Sequence, residues 1–264
     1  MIPDNSHSSA DPMDPARARA LQATLGEDPV IATGDPLPPF AHHVYFWDPQ
    51  PPAQLGRDGH PATGGFIPDL GLPRRMWAAG RLVFHRPLLA GVRAERLTRI
   101  EGITRKDGRS GPLAFVRLRH DIRQRQALAL TEWQDLVYRP DRGDAADAAP
   151  PPAPTDETLS DPLVADATLL FRYSALTFNG HRIHHDADYA RQVEGYAGPV
   201  VHGPLLAHLM MRLATRAQGT LRQFDYRATA PLILGEPATV CWRDDGATWV
   251  RAEGGRLCMS GQAG

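Results

Sequence analysis

Apolar positions follow two periods along this chain, and the longest helical stretch is Gly203–Arg216, GPLLAHLMMRLATR. Leu205, Leu206, Leu209, Met210 and Leu213 recur at helical spacing and build one broad apolar face. Pro204 suits a first helical position and Gly219 a stop, so the pattern predicts a deeply enclosed helix. Beyond it, LRQFDYRATAPLIL, ATVCWRDD, TWVRAE and GRLCMSG are short β-branched and aromatic runs broken by Gly, Pro and Asp, which read as antiparallel strands. A buried helix followed by such a meander predicts a sheet wrapped around a helix.

The N-terminal half repeats that order. Phe40, Val44 and Trp47 fall at i, i+4 and i+7 and predict a helical face. A Gly/Pro-rich loop follows, GRDGHPATGGFIPDLGLPRR. Strand-like RLVFHRP, AERLTRIEGITRK, PLAFVRLRHDI and ALALTEWQDLVYR come next, with a KDGRSG turn between two of them. Residues 139–165 are rich in Ala, Pro and Asp and hold too few large apolar groups to build a core, so they read as a linker. The expected organisation is an N-terminal extension 1–34, an N-terminal domain 35–140, a linker 141–164 and a C-terminal domain 165–264, in the α+β class.

Composition narrows the function. With a net charge of -1 the chain lacks the basic excess of a nucleic-acid-binding surface. No apolar run is long enough to predict a membrane span. The opening MIPDNSHSSADPMD has neither a basic start nor an apolar core, so no targeting segment and a cytoplasmic location are expected. Cys241 and Cys258 are too few for a disulfide framework and read as reduced core residues. Neither a GxSxG elbow nor a dinucleotide GxGxxG is present, which disfavours a serine hydrolase or a nicotinamide enzyme.

The densest chemistry lies in Thr177–Asp186, TFNGHRIHHD. His181 and His184 are three apart, a spacing that can share a cation, but no third ligand stands at a recognisable distance and no metal is expected. As a plain turn, Asn179–Gly180 is a turn dipeptide, and Asp186 caps a helix ADYARQVEG that Gly195 ends. As a catalytic element, a neutral imidazole is a competent base, and the N–H at the start of the Gly203 helix is a seat for a developing oxyanion. Gly203, with no side chain, lets a carbonyl approach that N–H closely. The residues alone leave the turn and the catalytic readings open.

Three runs carry a family resemblance: FRYSALTFNGHRIHHDADYA, EGYAGPVVHGPLLAHLM and FDYRATAPL. They resemble the MaoC-like hydratases and dehydratases, hot-dog-fold enzymes that act on acyl thioesters. GGFIPDLGLPRRMWAAGRLVFHRPLLAGVRAERLTRIEGITRKDGRSGPLAFVRLRHDI and TEWQDLVYR resemble the tandem subgroup, in which a degenerate half precedes the catalytic one. The match covers about residues 35–140 and 165–260. It implies a double hot-dog, two antiparallel sheets each wrapped around a central helix.

The resemblance also implies roles. His184 matches the family's catalytic histidine, and Gly203 the glycine whose N–H holds the thioester oxygen. Asn179 stands where the family typically has a catalytic aspartate; a carboxamide takes no proton but orients a water. Tyr173, His181 and His202 are implied as pocket residues, and Arg227 as a partner for a substrate carboxylate or a CoA phosphate. The implied reaction is cofactor-free, reversible hydration of a short 2-enoyl-CoA, with dicarboxylic mesaconyl-C4 and itaconyl types among the subgroup's substrates. Rival readings are dehydration of a 3-hydroxyacyl group on CoA or acyl carrier protein, thioester hydrolysis, and acyl-CoA binding without turnover. The implied partner is acyl-CoA. A tandem chain pairs its own halves, and whether two chains pair again as a homodimer stays open.

Overall fold

Strand periodicity becomes burial across the sheet. In β4 (Gly111–Gln124), Ala114, Val116 and Leu118 are buried while Arg117 between them is exposed. The computed structural model describes residues 6–108, 111–141 and 149–264. The other strands are β1 (Ser6–Asp11), β2 (Arg74–Phe84), β3 (Ala94–Gly108), β5 (Ala127–Arg139), β6 (Leu159–Val164), β7 (Gln223–Ala228), β8 (Pro237–Trp242), β9 (Ala247–Ala252) and β10 (Leu257–Ala263). They form one ten-stranded antiparallel sheet in the order β1-β3-β4-β5-β2-β7-β10-β9-β8-β6. From either edge inward each half runs first, third, fourth, fifth, second strand, so the duplication suggested by element order is present in the topology. The two expected sheets are the halves of this one sheet.

The halves join where β2 pairs with β7, Gly80 opposite Tyr226. Gly80 is required there, because a Cβ would lie 2.0 Å from the Tyr226 hydroxyl.

Between the first and second strands of each half lie its helices. The C-terminal half has α2 (Ala167–Thr177) and α3 (Gly203–Gln218), and α3 is the enclosed helix read from the sequence. Leu205, Leu206, Met210 and Leu213 are buried, and Ala207, His208 and Met211 close its other sides. The N-terminal half has α1 (Pro15–Thr24), and in place of a long helix it has two short 3-10 turns, Ala41–Val44 and Pro52–Gln54. The helical face expected over Phe40, Val44 and Trp47 is thus corrected. Phe40 adopts a left-handed conformation (φ 72°) and Tyr45 is extended, which stops a helix on both sides. Phe40 and Val44 still enter the core, while Trp47 lies at the surface. Among the described residues this half has no counterpart of α3.

Two boundaries shift. Residues 1–34 are more than an extension: β1 pairs with β3, and Ala18 and Leu21 of α1 are buried. The end of the expected linker is β6, paired with β8. β1 is SHSSAD, almost without apolar residues, so it is held by its backbone ladder and leaves no hydrophobic signature. The tip of the KDGRSG turn (109–110) and much of the linker (142–148) lie outside the described residues. Cys241 and Cys258 are buried and unpaired. Among the described residues no helix is long and apolar enough to cross a membrane.

Candidate active site

The histidine turn begins where α2 ends. Phe178 takes a left-handed conformation (φ 51°) and closes the helix, and the Asn179 N–H donates to the Ser174 carbonyl at 2.8 Å. Asn179 Oδ1 then accepts the His181 N–H at 3.0 Å. A 3-10 turn, Arg182–His184, follows and buries Ile183 and His184. Asp186 accepts the Tyr189 N–H at 2.9 Å, so its expected capping role holds.

Two hydrogen bonds tie this turn to the segment leading into α3. The Val200 N–H donates to the Ile183 carbonyl at 2.8 Å, and His184 Nδ1 donates to the Val200 carbonyl at 2.7 Å. That donation sets the tautomer: Nδ1 carries the proton and Nε2 keeps its lone pair. Burial pushes the His184 pKa down to about 3, against the opposing effect of the Val200 carbonyl. The ring is therefore a neutral base.

His184 stacks on His202 with ring centroids 3.7 Å apart, and His202 immediately precedes Gly203 at the start of α3. The N–H of a first helical residue has no acceptor within its own helix. Trp77 of β2 closes over Gly203: a Cβ there would meet Trp77 Cε3 at 2.8 Å. Trp77 in turn stacks on Tyr226 at 4.4 Å.

His184, Val200, Gly203 and Trp77 line one cavity of about 420 Å³, built by both halves. Asn179, His181, His184, Gly203 and Tyr173 all face it. The Tyr173 hydroxyl and His181 Nε2 are buried there without a partner among the described residues. His202 is wholly buried and does not line the cavity; its Nε2 meets the Ser174 hydroxyl at 2.8 Å, so it backs the His184 ring from behind. Burial drives the His181 and His202 pKa values far down, keeping both uncharged.

Arg227 is a correction. It projects from the exposed outer face of β7, opposite Ala79 and Ser260, and lines a separate surface groove with Arg81 and Arg117. Strand alternation decides this: its neighbour Tyr226 points inward, so Arg227 points out.

Several cavity residues escaped the sequence reading because the N-terminal half supplies them. The turn Asp58–His60 docks on the histidine turn, with the Arg182 N–H donating to the Asp58 carbonyl at 2.8 Å. Gly59 (φ +88°) and Gly180 face each other so closely that a Cβ on Gly59 would lie 2.1 Å from the Gly180 carbonyl oxygen. His60 Nδ1 meets Asp58 Oδ2 at 3.3 Å, and its ring lies 4.4 Å from that of His181. At another part of the cavity wall Glu132 of β5 accepts from His42 Nε2 at 2.9 Å and His43 Nε2 at 2.8 Å. Burial alone would raise the Glu132 pKa, but the two imidazoles reverse this and hold it ionised. The only sequence signals were an Asp and a His inside a Gly/Pro-rich loop, and a His pair in an apolar run.

Both clusters, His42/His43/Glu132 and Asp58/His60/His181, bring possible metal-ligating atoms within 4.8 Å of one another. Glu132 already bonds to two imidazole nitrogens and Asp58 to one. The first is a hydrogen-bonded network of all three residues; in the second Asp58 and His60 are bonded, and the His181 ring packs on His60 with its Nε2 unpartnered among the described residues.

Comparison with known proteins agrees with this geometry. The profile of the hydroxyacyl-thioester dehydratase type 2 family matches residues 40–234. The chain is 46% identical over 240 residues to the mesaconyl-C(4)-CoA hydratase of Chloroflexus aurantiacus, covering 88% of this chain and 84% of that one. It is 26% identical to the mitochondrial hydroxyacyl-thioester dehydratase type 2 of Schizosaccharomyces pombe, over 81% of this chain and 80% of the other. Among solved structures, a MaoC-like dehydratase from Phytophthora capsici superposes with a TM-score of 0.70 at 13% identity, covering 99% and 95% of the two chains. A Mycobacterium tuberculosis protein with a double hot-dog fold gives 0.62 at 16%, covering 100% and 96%. At those identities the superpositions speak for the fold, which is the double hot-dog. The profile match and the 46% relative together place the chain in the hydroxyacyl-thioester dehydratase type 2 family.

Proposed function

We propose that this protein is a hydro-lyase that reversibly hydrates a short 2-enoyl-CoA with a dicarboxylic acyl group, of the mesaconyl-C4 kind. The observation that carries the reading is His184: a neutral imidazole fixed through Nδ1 to the Val200 carbonyl, in a cavity that also holds the start of α3. The 46% relative acts on mesaconyl-C4-CoA by name and supports the substrate class.

The thioester oxygen lies against the Gly203 N–H, which polarises the enoyl system. Because Asn179 Oδ1 is occupied by the His181 N–H, its carboxamide nitrogen holds the water, as a donor to the water oxygen. His184 Nε2 takes one water proton while the oxygen bonds to Cβ. Negative charge moves to the thioester oxygen at Gly203, and the imidazolium returns the proton at Cα. Dehydration is the same path reversed.

The test is disappearance of enoyl absorbance with mesaconyl-C4-, itaconyl- and crotonyl-CoA. Loss of absorbance without release of CoA thiol is the expected result. Thiol release would identify a thioesterase, and binding without either change would identify an acyl-CoA-binding protein.

A further inference from the structure

Arg74 and Arg75 are adjacent on β2, and their side chains meet opposite fates. Arg74 is buried and paired: its Nε donates to Glu194 Oε2 at 2.5 Å and Nη2 to the Glu194 carbonyl at 2.9 Å, leaving only Nη1 without a partner among the described residues. Arg75 is partly buried and lines the same cavity as His184, Gly203 and Trp77. Among the described residues its guanidinium has no hydrogen bond and no ion pair. The nearby acid, Asp58, acts on it only through space: its carboxylate oxygens bond to His60, at 3.1 Å to the N–H and 3.3 Å to Nδ1, and neither forms an ion pair with Arg75. The other cavity-lining arginine, Arg96, differs: it donates to the Phe46 carbonyl at 3.1 Å and faces the ionised Glu132.

A cation drawn partly out of water without a partner is costly, and the planar fork of arginine matches a carboxylate. We propose that Arg75 binds the free carboxylate of the substrate's acyl group, and so selects dicarboxylic over monocarboxylic enoyl thioesters. This names the residue behind the substrate class proposed above and rests on that reading. Arg75 lines the same cavity wall as His60, His181 and His184, and its charge acts on the first two. A carboxylate on or next to Cβ stays within that cavity, whereas the CoA phosphates are a whole pantetheine arm away from the reacting carbons. There is also a kinetic consequence: a carboxylate beside Cβ repels the incoming hydroxide, and the guanidinium offsets that repulsion.

The test compares binding of succinyl-CoA and butyryl-CoA by calorimetry. Both are saturated and equally long, and only the first carries a terminal carboxylate. The unsubstituted protein is expected to prefer succinyl-CoA, and Arg75→Gln to weaken that preference roughly 10- to 100-fold, the worth of a charged hydrogen bond. Arg75→Lys should keep part of it. Equal loss for both ligands would overturn the proposal and assign Arg75 to a CoA phosphate. A parent protein that binds butyryl-CoA as tightly as succinyl-CoA would overturn it with no variant needed. Because neither ligand can be hydrated, the result is independent of turnover, and failure of the hydratase reading shows separately in the absorbance assay, where mesaconyl-C4-, itaconyl- and crotonyl-CoA would all stay unconsumed.

Discussion

At the scale of single residues, His184 owes its chemistry to what it is denied. Buried and bonded only through Nδ1, it stays neutral far below the usual range of an imidazole, with a pKa near 3. His184→Ala is expected to lower kcat on the order of 10²–10⁴-fold while circular dichroism stays unchanged. A variant that turns over at the parental rate would remove His184 from the mechanism. Several other imidazoles share this depression, His208 to about 3 and His120 to about 4, both through burial. Their pKa values in the folded state lie below the unfolded value of 6.5, so between those limits the unfolded chain binds more protons. Stability is therefore full above about pH 6.5 and declines as pH falls toward 4, with Glu132 adding loss at the acid end. Thermal unfolding midpoints between pH 4 and 8 should follow that course; a flat profile would mean these rings are solvated.

At the scale of elements, the site is made by turns rather than by the sheet. The Gly59 turn and the Gly180 turn press backbone on backbone, and this contact carries His60, with Asp58 bonded to it, to the cavity wall. Gly59→Ala must move one turn away from the other. The expected cost is about 1–3 kcal/mol in urea unfolding, with a fall in kcat, because His181 and Asn179 sit on the displaced turn. Parental stability in this variant would show that the turns are not pressed together. Helix α3 was legible because its apolar face follows one period without interruption, and β2 to β5 and β7 to β10 because each carries β-branched and aromatic runs. The short N-terminal turn at Ala41–Val44 was misread as a helix. Its apolar spacing is right, but the left-handed Phe40 and Phe46 are conformations that residue type does not announce.

At the scale of the whole molecule, β2 and β7 make two half-sheets into one and close the cavity between them. A fragment comprising residues 149–264 would expose the β7 edge and lose Trp77, the cover over Gly203. It should neither hydrate enoyl-CoA nor remain monomeric in gel filtration; an active monomeric fragment would show that the N-terminal half is dispensable. The sequence by itself determined the α+β class, the buried α3, the meander order repeated in two halves, and the pairing of a histidine turn with a glycine at a helix start. Each of these rests on short-range spacing or on a compact motif. Only the tertiary structure decided that Arg227 faces away from the cavity, that β1 and β6 belong to the sheet, and that His60, Arg75 and Trp77 line the cavity. Those outcomes depend on strand register and on contacts between residues more than a hundred positions apart, and local periodicity carries no information about either.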